Sequence, residues 1–558
     1  MKLDGHLERL SRGWRGPALA ALIAFLAGLP GLLAVPPLDR DESRFAQATA
    51  QMLETRDFVV IRYQDQPRFK KPVGIHWMQA VSVSLFSNPE ARQIWAYRLP
   101  SLAGAMLAAA ACAWGAAAFF GRPAGLVAGA LLGSTLLLST EAMIGKTDAM
   151  LCGLTTLAMA ALGRIYAAAR DGPPAPRRAV WLFWIAIALA TLVKGPIGPM
   201  TAALAIVLLA LMDRRPGWLV GMQWWWGLII VAAIVGPWAG AVTVATDGGF
   251  WTEAFGGDLA PKLVGGQESH GAPPGYHTLL VPILTFPMTL LLPAAAVTAW
   301  RGRREPGVRF AIAWLVPVWL LFEVMPTKLV HYPLPTYGAL AWLCAAALTR
   351  PIGAGARWTG AILSALIGVL LAAAVGYVLA TYGDRSDAPV AVLAALLLAA
   401  AGLVGGVLLA RDRARKATVA AVVLGVLGHA ALTAGVAPRL EPLWLSVQVE
   451  AALAQARLLP RQGIADAPVA VTGYAEPSLV FALGTPTELA TPEAAAWAIA
   501  ENRPAVVEDR KAKAFHAALA QFGVQARQVG VVKGLDYSNG DEMTLRIYVA
   551  STTAGAAP

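Results

Sequence analysis

The stretch that decides the fold is "PALAALIAFLAGLPGLLAVPPLDRDESRFAQ", Pro17 to Gln47. From Pro17 to Pro37 it carries no charge, and about 20 apolar residues suffice to cross a bilayer as a helix. Then five of the six residues from Asp39 to Arg44 are ionisable, in a chain where charged residues make up 14%. No small-residue cleavage site with a mature domain follows the apolar run, so it reads as a retained first span and not as a signal peptide. The charge cluster therefore stands at the edge of a membrane helix.

The rest of the chain agrees. It has 558 residues, 57% of them hydrophobic, and a mean hydropathy of +0.57. Soluble domains are about half apolar and about a quarter charged, so this is an integral membrane protein. Its net charge of +11 is explained by basic loops on one membrane face, and no nucleic-acid partner is expected. Cys112, Cys152 and Cys344 all lie in apolar segments and read as small buried hydrophobes, not as disulfide or zinc ligands.

Hydropathy yields about thirteen spans: 17–37, 95–119, 123–140, 148–169, 180–193, 195–212, 224–243, 277–299, 309–323, 333–349, 358–381, 389–410 and 417–436. Lys194-Gly195-Pro196 interrupts one long apolar run and reads as a tight turn at the membrane face. With the N-terminus in the cytoplasm, the loops on that side hold Arg122, Arg177, Arg214, Arg301, Arg350, Arg413 and their basic neighbours. They are short and almost purely positive, as an inner face requires. The opposite loops, 38–94, 244–276, 324–332 and 382–388, are longer and mixed in charge. An odd span count puts the tail outside.

Two domains are thus expected. Residues 1–436 form a membrane domain whose first external loop, 38–94, is amphipathic. Phe45, Ala48, Met52 and Leu53 recur at helical spacing, as do Ile75, Met78, Gln79 and Val83 after Pro72, so the loop reads as interfacial or span-packed helices. Residues 437–558 contain no span-length run. "APVAVTGY", "RPAVVED" and "TLRIYVA" read as strands, and "PSLVFAL" and "AFHAALAQFG" as helices, a small external α/β domain. It lacks a phosphate-binding glycine motif and reads as a docking lid or cap.

Once the chain is oriented, its unusual polar residues share the outer face. Asp41 and Glu42 open the first loop, and Lys70 and Lys71 precede Pro72. Lys146 and Asp148 start the fourth span, Lys194 lies in the outer turn, and Lys328 and His331 lie in "PTKLVHYPLPTY". A lone Lys at a helix end can snorkel to water; short carboxylates cannot. Convergent charges at a membrane mark substrate handling.

The order "DESRFAQ … FKKPVGIHW … KTDAML … VKGPIGP … TKLVHYPLPTY" resembles the bacterial aminoarabinose lipid A transferases. These are polytopic GT-C glycosyltransferases related to protein O-mannosyltransferases. The resemblance covers nearly the whole chain, and thirteen spans with a periplasmic α/β domain is what it implies. By it, Asp41 matches the proposed catalytic Asp, Lys71 the Lys that contacts the donor phosphate, and Asp148 the carboxylate near that Lys. Lys328 falls in the matching late motif. One departure stands out: those enzymes commonly carry Glu before the Lys-Pro, where this chain has Lys70, which removes a carboxylate and adds a cation.

The expected catalytic set is therefore Asp41, Glu42 and Asp148. Lys71 and Lys328 would hold the donor phosphate with Lys194 and Lys70, and His331, Tyr332, Tyr337 and His270 would touch substrate. The segment "GQESHGAPPGYH" reads as a mobile substrate loop. The expected reaction moves a sugar from a polyprenyl-phosphate donor to lipid A or lipopolysaccharide core at the periplasmic face of a bacterial inner membrane, with inversion at C1. No cofactor is expected; a divalent metal is open but unsupported by the few external histidines. The chain is expected to work as a monomer in the bilayer. The alternatives are a protein O-glycosyltransferase using the same donor and, less favoured, a flippase for a polyprenyl-linked sugar. A flippase usually shows inverted repeats and midplane charges, and neither is found.

Overall fold

The computed structural model describes residues 2–171, 176–214, 216–261, 271–460 and 468–551. Helices coincide with all thirteen expected apolar segments, but their capacity to span is uneven. Among the described residues, eight are long and apolar enough to cross a membrane unaided: Arg15–Ala34, Ile94–Phe120, Asp148–Arg170, Trp224–Ala245, Pro306–Val324, Ala354–Tyr382, Arg385–Ala410 and Ala414–Arg439. A ninth arises if Tyr276–Leu284 and Met288–Arg301, bent by 113°, count as one span. Ile197–Asp213 and Leu334–Ala347 are apolar but shorter. Arg177–Lys194 carries cations at both ends, and the segment expected at 123–140 is broken into Arg122–Gly133 and Leu136–Glu141.

The breaks have a physical cause. Backbone groups at membrane depth must be satisfied inside the protein. At one break the Leu136 N–H donates to the Phe286 carbonyl, 2.7 Å away, which lies at the bend before Met288. Each irregular segment supplies what the other lacks. The Lys194-Gly195-Pro196 turn forms as expected, with Gly195 at φ +64°, a conformation that favours glycine.

Small residues set how closely the spans approach. A Cβ on Gly104 would meet the Met150 Cα at 2.4 Å, and one on Gly153 would meet the Gly104 carbonyl oxygen at 2.4 Å. The helix from Asp148 is the most enclosed of the spans, whereas Trp224–Ala245 faces outward along most of its length.

The first loop is structured. Asp41–Thr55 and Gly74–Phe86 are helices joined across a short hairpin, β1 (Arg62–Tyr63) with β2 (Gln66–Pro67). They bury Phe45, Ala48 and Met52, and Ile75, Gln79 and Val83, against the spans. Val81, Leu85 and Phe86 remain exposed on the second helix, a face suited to lipid. The burial accords with packing against the spans.

After Arg439 the chain forms a five-stranded sheet, in the order β4 (Glu488–Leu489), β3 (Ala470–Thr472), β5 (Ala505–Glu508), β7 (Asp541–Ala550), β6 (Ala526–Asp536). β3 runs parallel to β4 and β5, and β7 antiparallel to β5 and β6. The helix Pro477–Leu483 is buried against the first loop, where the Phe481 ring meets Tyr97 edge-on at 5.3 Å.

Candidate active site

The "DRDESR" charges divide their labour. Glu42 is fully buried and takes two hydrogen bonds from the Arg98 guanidinium, 2.8 and 2.7 Å, with further ones from the Gly145 and Leu38 N–H groups. Arg98 also donates to the carbonyls of Leu32, Val35 and Pro36. This ion pair ties the end of the first span to the first loop, the second span and the turn at Gly145. Glu42 was expected in the catalytic set; the structure instead spends both of its oxygens on this joint. Asp39 and Arg40 reach the C-terminal domain, through Tyr537, Ser478 and the Ser538 carbonyl. Asp41 is 61% exposed, with Arg68 at 4.0 Å; it is not among the residues lining the cavity described below, but its charge is felt by Lys146.

One helical turn of sequence around Asp148 gathers the remaining charge. Asp148 opens its span, where the helix dipole favours a carboxylate, and pairs with Lys194. Lys146 lies 3.6 Å from Asp148 and 3.1 Å from Glu141. His331 stands between the two acids, Nε2 3.6 Å from Asp148 and Nδ1 3.8 Å from Glu141. Burial pushes the His331 imidazole well below its usual range, against the pull of Asp148, so the ring is neutral and offers one donor and one acceptor. The Lys146 ammonium is held charged: burial opposes it, and the Glu141 and Asp148 carboxylates outweigh that, with Asp41 adding to them.

Glu141 was not among the expected residues. It ends the run "LLLSTE", one residue beyond the expected span 123–140; the signal for it is the tight sequence of ionisable groups Glu141, Lys146, Asp148. Its second oxygen is buried without a hydrogen-bond partner.

Beside this cluster lies a cavity of about 280 Å³. Its lining includes the charged or polar Lys70, Lys71, Asp148, Lys194 and His331 and the apolar Phe250, Trp251, Phe255, Leu321 and Phe322. Tyr332 joins the lining, and the Lys194 ammonium sits 5.9 Å from its ring centre. Two expected residues are elsewhere. Lys328 turns its ammonium inward to the carbonyls of Phe322, Glu323 and Met325, capping the C-terminus of Pro306–Val324 as a cation does at the negative end of a helix. Tyr337 is buried against Trp319 and is not among the residues lining the cavity. His270 and the residues before it in "GQESHGAPPGYH" lie outside the described residues, whereas Gly271 bridges to Thr327 and the Gly275 N–H donates to Glu323.

Cations and aromatic rings thus share one cavity in a helical membrane protein, and known proteins bear on it. Residues 70–240 match the family described as dolichyl-phosphate-mannose-protein mannosyltransferase. The chain is 28% identical over 403 residues, covering 69% of its length and 72% of the relative's, to the undecaprenyl phosphate-alpha-4-amino-4-deoxy-L-arabinose arabinosyl transferase of Aeromonas salmonicida. To the protein of that name from Aeromonas hydrophila subsp. hydrophila it is 28% identical over 321 residues, 56% of this chain and 57% of that one. The crystal structure of ArnT from Cupriavidus metallidurans bound to undecaprenyl phosphate superposes with a TM-score of 0.74 at 20% identity, over 97% of this chain and 98% of that one.

The chain thus has the fold of a membrane glycosyltransferase and is similar, over residues 70–240, to the mannosyltransferase family. Within that class it resembles the bacterial aminoarabinose transferases.

Proposed function

We propose that the protein transfers a sugar from undecaprenyl phosphate to lipid A or lipopolysaccharide core, at the periplasmic face of the inner membrane, with the N-terminus cytoplasmic and the C-terminal domain periplasmic. The observation that carries this reading is a single cavity lined both by Lys70, Lys71 and Lys194, suited to a phosphate, and by Phe250, Trp251 and Phe255, suited to a polyprenyl chain. Both relatives named above carry undecaprenyl phosphate in their names.

Cleavage of the bond between sugar C1 and phosphate oxygen builds negative charge on the leaving phosphate. Fixed cations aimed at that charge stabilise the transition state more than the ground state. Lys71 and Lys194 fill this role, assisted by Lys70, and Asp148 with Lys146 and His331 fixes the Lys194 ammonium. The acceptor attacks from the opposite side of C1, so the configuration inverts. Asp41, the exposed carboxylate, takes the proton of a hydroxyl acceptor, or orients an acceptor that is already an anion. The scheme uses no cofactor and no metal, since lysines supply the positive charge, and the enzyme works as a monomer; EDTA should leave the rate unchanged.

Mass spectrometry of lipid A, core oligosaccharide and envelope proteins, from cells with and without the gene, tests the reading. A pentose- or hexose-sized mass lost from lipid A or core is expected. The same loss from a protein would move the acceptor to protein, and unchanged glycans would reject transfer to either.

A further inference from the structure

A second cavity lies far from the catalytic one, at the other end of the helix Leu334–Ala347. Pro335 at the start of that helix lines the catalytic cavity, and Leu348, just beyond its end, lines the second. Thirteen residues of helix separate them by about 20 Å, which puts the second cavity at the opposite membrane surface. It is a cleft of about 450 Å³ between the segment Leu348–Ile352 and the segment Asp412–Lys416. Four cations line it, Arg350, Arg413, Arg415 and Lys416, of which Arg350 is paired with Glu305, and the carboxylate in the lining is that of Asp412. That carboxylate is taken up by Arg357, 2.6 Å away.

The cleft does not end in protein. Leu348, Thr349 and Arg415 also line an adjoining groove of about 270 Å³, whose other walls are mostly apolar, Phe120, Val127, Ala345 and Val419 among them, with Glu8 and Thr418 as their polar members. A basic pocket thus opens into an apolar trough between helices, at the depth where headgroups give way to acyl chains. Neither half alone suits a soluble anion or a neutral lipid: an inorganic phosphate leaves the groove empty, and a zwitterionic headgroup brings its own cation among four others.

We propose that this cleft and groove form a site for an anionic phospholipid of the leaflet opposite the catalytic cavity. Its phosphate lies among Arg350, Arg413, Arg415 and Lys416, and one acyl chain lies between Phe120, Val127 and Val419. Basic pockets between transmembrane helices recognise acidic headgroups in this way, each cation strengthening binding by about five-fold. The site uses no residue of the sugar-transfer cluster, so it stands or falls independently of the reaction assigned above.

The test is native mass spectrometry of the full-length protein released from nanodiscs of equal parts dioleoylphosphatidylglycerol and dioleoylphosphatidylcholine. Retention of phosphatidylglycerol well above phosphatidylcholine is expected. The double variant Arg413→Ala, Lys416→Ala, both exposed and able to change without disturbing the core, should lower that retention by about 25-fold, two steps of five. Val419→Trp, at a position 40% exposed, should fill the groove and lower it as well. Equal retention of the two lipids, or retention unchanged in the double variant, would overturn the site. Glycerol 3-phosphate displacing the lipid at equal concentration would also overturn it, since a soluble phosphate would then be the better occupant.

Discussion

Asp41 and Glu42 are neighbours with similar carboxylates, yet they do unrelated things. They begin a helix, so successive side chains diverge by about 100°; one is left exposed and the other is driven into Arg98. Two substitutions separate the roles. Glu42→Gln leaves Arg98 charged, buried and half-paired, a change that costs about 3–5 kcal/mol and should lower the thermal unfolding temperature of the purified protein sharply. Asp41→Asn touches an exposed side chain and should leave that temperature within about 2 °C, as most surface changes do, while transfer falls to background. If Asp41→Asn transfers normally, Asp41 has no part in the chemistry. Sequence alone ranks these residues together, because charge at a membrane edge signals an unusual environment without saying which neighbour occupies it. Lys328 misleads for the same reason: an ammonium that would suit phosphate is equally suited to a helix end, and only the position of Glu323 and Met325 decides. Lys71, Asp148 and Lys194 were legible because three separate segments each carried a charge that hydrocarbon could not hold.

At the scale of helices, the sequence located every apolar segment and the break at Lys194-Gly195-Pro196, but not the breaks inside 123–140 and 277–299. Ser134-Thr135 and Phe286-Pro287 interrupt runs apolar enough to look continuous, and the Leu136-to-Phe286 hydrogen bond that makes both interruptions tolerable joins residues 150 apart. Glycine packing carries a sharper consequence. Gly104 allows the Ile94–Phe120 helix to touch the backbone at Ala149 and Met150, directly after Asp148. A valine there would meet backbone atoms at about half an ångström to an ångström inside ordinary contact, as the 2.4 Å approach already implies for Cβ, and the helix bearing Asp148 must shift. A misplacement of about 1 Å costs on the order of 10²-fold in rate. Gly104→Val should therefore lose about 10²-fold in turnover at saturating donor. Gly104→Ala, whose single methyl meets the same backbone, should lose less. Equal and undiminished turnover in both would show that this contact does not position Asp148.

For the molecule as a whole, the question is what holds the C-terminal domain over the membrane domain. The strands and helices of that domain follow from its sequence, but its docking does not, because the contacts pair residues more than four hundred positions apart. Gln47 and Gln64 bond to Thr485 and Thr487, and Glu54 joins Arg92 to Thr485. Ser478 donates to Asp39 across 439 residues. Asp39 makes this docking sensitive to pH. Burial raises its pKa from the ordinary 3.8 to about 7; the Ser478 hydroxyl pulls it down, and Glu476 and Asp536 push it up. Glu476 is itself raised, by burial first and then by Asp536. A carboxyl that binds its proton more tightly when docked stabilises the docked form fully below its undocked value near 4. It loses that contribution as pH climbs through about 7. The wild-type protein should thus unfold at a higher temperature at pH 5 than at pH 8, followed by tryptophan fluorescence. Asp39→Asn keeps the neutral form's shape and the backbone N–H bond to the Tyr537 hydroxyl, so its unfolding temperature should vary much less over that range, with Glu476 supplying the remainder. A variant whose pH slope matches the wild type would remove Asp39 as the source, and a slope of opposite sign in the wild type would mean that the carboxylate, not the acid, is what the docked domain prefers.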